Sequence, residues 1–168
     1  ALSSAASDVY KRQKLYLAMQ ILDYALVMTP GAPLKQALID AGISTDVYSS
    51  FETSLYQPVY SIVAKNANEK DKDAFVKIIE DVLKELVKNG INERTIAAGI
   101  NYYEFKYREA DYGPYPKGLM YYLTMMDSWL YDESKPFIHI EASDTFKELK
   151  EDAKTVSYTH LTLPTIRL

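Results

Sequence analysis

The chain has 168 residues, 19 Lys and Arg against 23 Asp and Glu, and a formal net charge of −4 at pH 7. It contains no cysteine, which excludes disulfide scaffolds, thiolate metal sites and cysteine nucleophiles. The acidic balance argues against a nucleic-acid partner, because nucleic-acid binding needs a basic face. No apolar run approaches the ~20 residues that a membrane-spanning helix needs, so we expect no membrane partner.

Both ends of the chain resemble translated sequencing adapter rather than protein. Residues 3–13 (SSAASDVYKRQ) match one strand of a transposase adapter, and residues 156–165 (VSYTHLTLPT) match the complementary strand. Because the two ends match one adapter in opposite senses, we prefer this interpretation to an ordinary tail at each end. Residues 1–13 and 156–168 are therefore interpreted as adapter-derived, and residues 14–155 as a biological insert.

The insert begins with a pattern typical of two helices. Apolar residues recur at helical spacing over 15–28, and Thr29-Pro30-Gly31 is expected to end this helix. A short helix should begin at Pro33, since the fixed φ of proline suits a first turn. Gly42 is placed to cap its carboxyl end.

The composition then changes to β-branched and aromatic residues. Residues 46–54 and 57–65 predict two antiparallel strands, with Pro58 at a strand start or on an edge. A hairpin alone is marginally stable in water, so we expect an unpaired edge and further strands upstream of the insert.

The remainder of the insert predicts four helices. The strongest pattern covers 71–89, where Gly90 follows as a cap and one face carries an apolar stripe: Phe75, Ile78, Ile79, Val82, Leu83, Leu86 and Val87. Asn92 should cap the next helix, which continues to about Ala110. A further helix opens at Pro116, with these residues expected to face inward: Leu119, Leu123, Met126 and Leu130.

The end of the insert predicts one extended segment and a truncated helix. Residues 136–140 are expected to form a short strand or strap, and Ser143 to cap a last helix through Phe146 and Leu149. The whole order predicts an α+β fold, in which an antiparallel hairpin packs with several helices and the sheet is incomplete.

Histidine offers no predicted metal or catalytic site. The chain has two histidines, and His160 lies in the segment interpreted as adapter. A zinc-peptidase helix needs two histidines one turn apart with a glutamate near them, and a lone His139 cannot supply this. We therefore expect no catalytic residue and no metal ligand in this insert, with His139 as a structural residue.

Two polar or aromatic groups remain as candidates. Glu104 and Arg108 are four residues apart on one helix, so we expect a structural ion pair rather than an Arg108 clamp for a substrate carboxylate. Tyr112, Tyr115 and Trp129 are candidates for a wall that contacts peptide substrates. The alternative is that these aromatic residues pack with one polar end in water.

Four segments carry a resemblance to a known family. They are residues 30–38 (PGAPLKQAL), residues 57–67 (QPVYSIVAKNA), residues 104–113 (EFKYREADYG), and the pair 115–120 (YPKGLM) and 127–132 (DSWLYD). In order and spacing, these segments resemble the second, non-catalytic domain of the presequence-protease-like branch of the insulinase (pitrilysin-type) zinc metallopeptidases. The resemblance covers essentially the whole insert.

The resemblance implies a partial metallopeptidase (LuxS/MPP-like) domain from a polypeptide with four related α/β domains. These would form two halves that close on a chamber, with the zinc motif in the first domain. No zinc ligand or catalytic residue of the family falls on a position here. The implied partners are the rest of the same polypeptide and short unfolded peptides, in the bacterial cytoplasm. The alternative is a fragment of an inactive relative that acts as a structural or docking subunit.

Overall fold

The computed structural model describes the backbone of residues 2–55 and 58–155 and the side chains of residues 13–55 and 58–154. The described residues form an α+β fold with six α-helices and one hairpin, as predicted. In chain order, the elements are helix α1 (Leu2–Asp23), a π-helical turn (Tyr24–Met28), helix α2 (Pro33–Asp40), strand β1 (Asp46–Glu52), strand β2 (Val59–Lys65), a 3-10 turn (Glu69–Asp71), and helices α3 (Lys72–Asn89), α4 (Glu93–Glu109), α5 (Lys117–Trp129) and α6 (Ser143–Thr155).

Helix α1 and the π-helical turn form the centre of the core. Their buried residues recur at helical spacing, so the same rod contacts α2, α4, α6 and β1 on its different sides. The fully buried aliphatic and aromatic residues of the core are Ile21, Val27, Leu34, Leu38, Val47, Ile100, Phe146 and Leu149. Helix α2 follows α1 closely in the sequence and α6 lies far from it, yet residues of all three helices belong to this one cluster.

The hairpin pairs β1 with β2 in an antiparallel register that sets Phe51 opposite Tyr60 and Tyr48 opposite Val63. Alternation along each strand places Val47 in the core and leaves Tyr48 and Val63 exposed on the other face. The predicted strands are confirmed with shorter ends. Residues 56–57, which include part of the predicted turn and the predicted start of the second strand, lie outside the described residues. Among the described residues the sheet has these two strands, as the incomplete-sheet prediction requires.

Helix α4 crosses α1 at Gly99, which is buried. A Cβ built on Gly99 would lie 3.1 Å from Tyr24 Cδ1, 3.3 Å from Ile21 Cγ2 and 3.4 Å from the Ile21 carbonyl oxygen. Real Cβ atoms rarely approach other atoms this closely, so glycine is what lets the two helices meet. The predicted Asn92 cap is confirmed, because its side-chain oxygen accepts from the Arg94 N–H at 2.9 Å.

Several predicted helix bounds and one predicted strand are wrong. Helix α1 begins at Leu2, well before residue 15, and its last turn is π-helical. Residues 136–140 form successive turns instead of a strand, since the N–H groups of Ile140 and Glu141 both donate to the Phe137 carbonyl at 2.9 Å. The cap of α6 is Ala142, whose carbonyl accepts from the Phe146 N–H at 3.0 Å, so Ser143 is the first residue of that helix.

Two predicted apolar stripes are less buried than expected. Val87 on α3 is exposed, while Ile79 is the buried residue of that helix. On α5, three of the residues predicted to face inward are exposed, and Met126 is partly buried: the exposed ones are Leu119, Leu123 and Leu130. Periodicity identifies an apolar face, and within the described residues this face of α5 remains exposed.

No helix within the described residues is long and apolar enough to cross a membrane.

Candidate functional site

His139 lies against helix α1 as part of a row of aromatic rings. Its ring stacks on Tyr16 with centroids 5.6 Å apart and an interplanar angle of 12°, and Tyr16 contacts Phe51 edge-on at 6.1 Å. Burial lowers the pKa of His139 below its ordinary value of 6.5, so the ring is neutral at pH 7. This is the environment of a packed structural histidine.

The described side chains do not fit a zinc site. Within residues 13–55 and 58–154, whose side chains the structure describes, no group of three His, Cys, Asp or Glu side chains is arranged to hold a metal ion. Zinc needs at least three such ligands in a tetrahedral set, and the single described histidine is stacked on Tyr16.

The predicted pair of Glu104 and Arg108 is present and has a third member. Arg108 Nη2 donates to Glu104 Oε1 at 2.8 Å, and Lys150 Nζ from α6 donates to Glu104 Oε2. Glu104 is mostly enclosed, whereas Arg108 is largely exposed. The Lys150 hydrogen bond is the main reason that the pKa of Glu104 lies below its ordinary value. The cluster joins α4 to α6. The sequence analysis missed Lys150 because this residue lies far along the chain from Glu104.

The aromatic candidates surround helix α5 and differ in exposure. Tyr112 is partly buried and meets Tyr121 edge-on, with centroids 6.0 Å apart. Tyr115 and Trp129 are exposed at the start and end of the helix. The structure therefore presents two of the three predicted wall residues to solvent and uses Tyr112 to hold α5.

A buried polar pair lies where α1 meets the π-helical turn. Asp23 is buried, and its Oδ1 accepts a hydrogen bond from the Tyr60 hydroxyl at 2.6 Å. Tyr103 is close by, and its hydroxyl donates to Met28 Sδ at 3.5 Å. Burial raises the pKa of both tyrosines above the ordinary value of 10.0. The sequence analysis missed this pair, although an aspartate inside an apolar helix face is a signal that could have found it.

The seam between α1 and α6 is also polar. Gln13 is buried, and its Nε2 donates to the carbonyls of Ile138 and Glu141, while Thr145 Oγ1 donates to Gln13 Oε1 at 2.8 Å. Lys14 Nζ lies 2.7 Å from Asp152 Oδ2. Gln13 is the last residue of the segment interpreted as adapter, yet it is fitted into this seam. The side chains of residues 2–12 and all of residues 156–168 lie outside the described residues, so the adapter origin stays a prediction.

Comparison with known proteins gives the family. The model described as the peptidase M16 inactive domain matches residues 6–103, beginning inside the segment interpreted as adapter. Protein HypA of Clostridium perfringens (strain 13 / Type A) is 46% identical over 142 residues, which are 84% of this chain and 14% of that protein. Presequence protease 1, chloroplastic/mitochondrial, of Arabidopsis thaliana is 32% identical over 135 residues, which are 80% of this chain and 12% of that protein.

A solved structure shares the fold. The crystal structure of a protein described as a zinc protease from Bordetella pertussis Tohama I superposes with a TM-score of 0.66 and 15% identity, covering 88% of this chain and 77% of that chain. Compared with Protein HypA and Presequence protease 1, the chain spans about one-seventh or less of each protein's length. Since the matched segment is the inactive domain, the chain belongs to the peptidase M16 family and carries a non-catalytic domain of it.

Proposed function

We propose that residues 14–155 form a wall and scaffold segment in the catalytic half of a longer zinc metalloendopeptidase that degrades short, unfolded peptides. The observation that carries this proposal is the identity to Protein HypA and to Presequence protease 1 across at least 80% of the chain. In this proposal the zinc ligands lie upstream in the same polypeptide. The present segment contributes no ligand and acts by its shape and its contacts.

Contact with substrate would come from the aromatic residues around α5. Tyr115 and Trp129 are exposed, and aromatic rings bind extended peptides through large apolar areas at low cost in side-chain entropy. Tyr112 would support them from within, since it packs on Tyr121. We assign these residues to binding and positioning, with no proton transfer.

We place the longer protein in the bacterial cytoplasm. The similarity to a protein of Clostridium perfringens supports a bacterial source. The absence of cysteine from the sequence is compatible with a reducing compartment.

The upstream DNA tests the peptidase assignment. We expect a helix carrying His-x-x-Glu-His about one domain before Leu15, because two imidazoles on one helical face and a nearby glutamate are what a water-activating zinc site needs. Zinc analysis and a fluorogenic-peptide assay on the longer protein should then give chelator-sensitive activity. Loss of either histidine or of the glutamate from that motif would contradict the proposal and favour an inactive structural or docking subunit.

Substitutions in the longer protein test the wall. Tyr115→Ala and Trp129→Ala should raise KM for extended peptides while the zinc content stays unchanged, because in this proposal the zinc ligands lie upstream of this segment. Tyr48→Ala is the matched control, as Tyr48 is an exposed aromatic residue on the hairpin. Equal kinetics for all three variants and the parent would exclude Tyr115 and Trp129 from substrate binding.

A further inference from the structure

Met28 differs from the other methionines of the chain in its exposure to solvent. It is the last residue of the π-helical turn, and 47% of it is exposed. The remaining four methionines are partly buried: Met19, Met120, Met125 and Met126. The sequence contains no cysteine, so these thioethers are its only sulfur groups. Met28 is therefore the sulfur that a dissolved oxidant reaches most readily.

The sulfur of Met28 is also a hydrogen-bond acceptor. The Tyr103 hydroxyl donates to Met28 Sδ at 3.5 Å and so joins helix α4 to the π-helical turn. Tyr103 is 8% exposed, and burial raises the pKa of its hydroxyl, which therefore keeps its donor proton at neutral pH. A thioether is a weak acceptor, so the bond between the two side chains is weak.

Oxidation of Met28 would create a stronger acceptor at the same place. A sulfoxide has a polarised S–O bond, and its oxygen accepts hydrogen bonds more strongly than a thioether sulfur does. The methionine side chain is unbranched with three rotatable bonds, so a half-exposed Met28 can turn the new oxygen towards Tyr103. In a closed core the same oxidation is disruptive, because it converts an apolar side chain into a polar one.

The π-helical turn contacts α4 at both of its ends. Tyr24, its first residue, stacks on Tyr102 with ring centroids 5.2 Å apart, and a Cβ built on Gly99 would lie 3.1 Å from Tyr24 Cδ1. Met28, its last residue, accepts the bond from Tyr103. The strength of the Met28 bond therefore acts on a closely packed interface, and it does so independently of any peptidase activity of a longer protein.

We propose that Met28 is a reversible oxidation site at which a peroxide converts the thioether to a sulfoxide, whose oxygen accepts the Tyr103 hydrogen bond and tightens the joint between the π-helical turn and α4. A sulfur lone pair bonds to one peroxide oxygen, and the O–O bond breaks. Sulfur loses two electrons and the peroxide gains them. The leaving hydroxide takes the proton of the transferred oxygen and departs as water. Methionine sulfoxide reductases reverse the change with electrons from a dithiol, releasing the oxygen as water and leaving a disulfide.

Peptide mapping by mass spectrometry, after brief treatment of the 168-residue chain with hydrogen peroxide, tests the site. We expect Met28 to gain one oxygen several-fold faster than Met125 and Met126, and methionine sulfoxide reductase to remove it. In urea this advantage should vanish, because the unfolded chain exposes every methionine. Oxidation of Met28 no faster than that of Met126 in the folded chain would overturn the proposal.

Thermal melting tests the bond from Tyr103. Met28→Gln supplies an oxygen acceptor in place of the sulfoxide, and Met28→Leu supplies none. The melting temperature of Met28→Gln minus that of Met28→Leu should be about 2–4 °C larger in the parent chain than in a Tyr103→Phe background, the shift that one hydrogen bond gives in a domain of this size. The parent chain oxidised at Met28 alone should also melt above the unoxidised chain. A difference that is equal in both backgrounds, or a melting temperature that oxidation leaves unchanged or lowers, would overturn the proposal.

Discussion

Tyr60 donates a hydrogen bond of 2.6 Å to the buried carboxylate of Asp23, joining strand β2 to the end of helix α1. Tyr60→Phe keeps the ring and removes the donor, so a buried acceptor loses its partner. We expect the free energy of unfolding to fall by about 1–3 kcal/mol in urea titrations. Tyr48→Phe, on the exposed face of the same hairpin, should change it by less than about 0.5 kcal/mol. Equal effects would show that the Asp23 contact contributes nothing.

Alkaline pH should destabilise the fold through its buried tyrosines. Burial raises the pKa of Tyr107 from 10.0 to about 12 in the folded state. The folded protein then holds this proton more tightly than the unfolded chain. Its contribution is fully present below pH ~10 and is lost as the pH rises from ~10 to ~12. Tyr107→Phe should therefore flatten the fall in stability over this range by up to about 1.4 kcal/mol per pH unit, measured by urea titration at each pH.

Gly99 and Gly118 make a matched pair of helical glycines. A Cβ at Gly99 would meet Tyr24 and the Ile21 backbone, whereas a Cβ at Gly118 would meet nothing within 4 Å. We expect Gly99→Ala to lower the melting temperature, because overpacking costs about 1–3 kcal/mol and exceeds the gain in helix propensity. Gly118→Ala should raise the melting temperature, because alanine stabilises a helix relative to glycine by up to about 1 kcal/mol. A rise in melting temperature for Gly99→Ala would contradict this, because it would show that α1 and α4 can move apart at little cost in free energy.

Within the cluster around Glu104, Lys150 should contribute more than Arg108 to the free energy of unfolding. Arg108→Ala removes a largely exposed partner and should cost a few tenths of a kcal/mol, while Lys150→Ala breaks the link between α4 and α6 and should cost about 1 kcal/mol. The pKa of Glu104 lies below its ordinary 4.5, chiefly through the Lys150 hydrogen bond. Its contribution is therefore present above pH ~4.5 and disappears as the pH falls through the lower folded value.

Urea titrations at neutral and acidic pH check both parts of this prediction. The difference between the parent chain and Lys150→Ala should shrink as the pH falls, because protonated Glu104 no longer attracts the ammonium. A larger effect of Arg108→Ala than of Lys150→Ala at neutral pH would contradict it.

Sequence patterns predicted the elements whose signals are local. The stop at Gly90, the cap at Asn92 and the hairpin predicted from the β-branched and aromatic residues of 46–65 each depend on neighbouring residues, and each is found in the structure. The partner of Glu104 could not be predicted in this way. Lys150 is 46 residues away, and only the packing of α6 on α4 brings the two together.

The apolar stripe of α5 shows a different limit. Leu119, Leu123 and Leu130 carry the spacing of a buried face, and the prediction that they face inward within this chain is wrong. Periodicity reports that a face needs cover and leaves open which segment supplies it. The prediction for residues 136–140 is wrong for a simpler reason. Their apolar and β-branched composition resembles a strand, but turn hydrogen bonds to the Phe137 carbonyl curl them back.

The π-helical turn Tyr24–Met28 closes with the Thr29 N–H donating to the Tyr24 carbonyl five residues back, at 3.3 Å. Such a turn holds one residue more than the α-helical turn it replaces. Tyr60 donates a hydrogen bond to Asp23, the residue before the turn, and Tyr103 donates one to Met28, its last residue. Loss of one residue here would restore a regular helix without moving either flank. When family sequences of different lengths are aligned, a one-residue gap therefore belongs within 24–28.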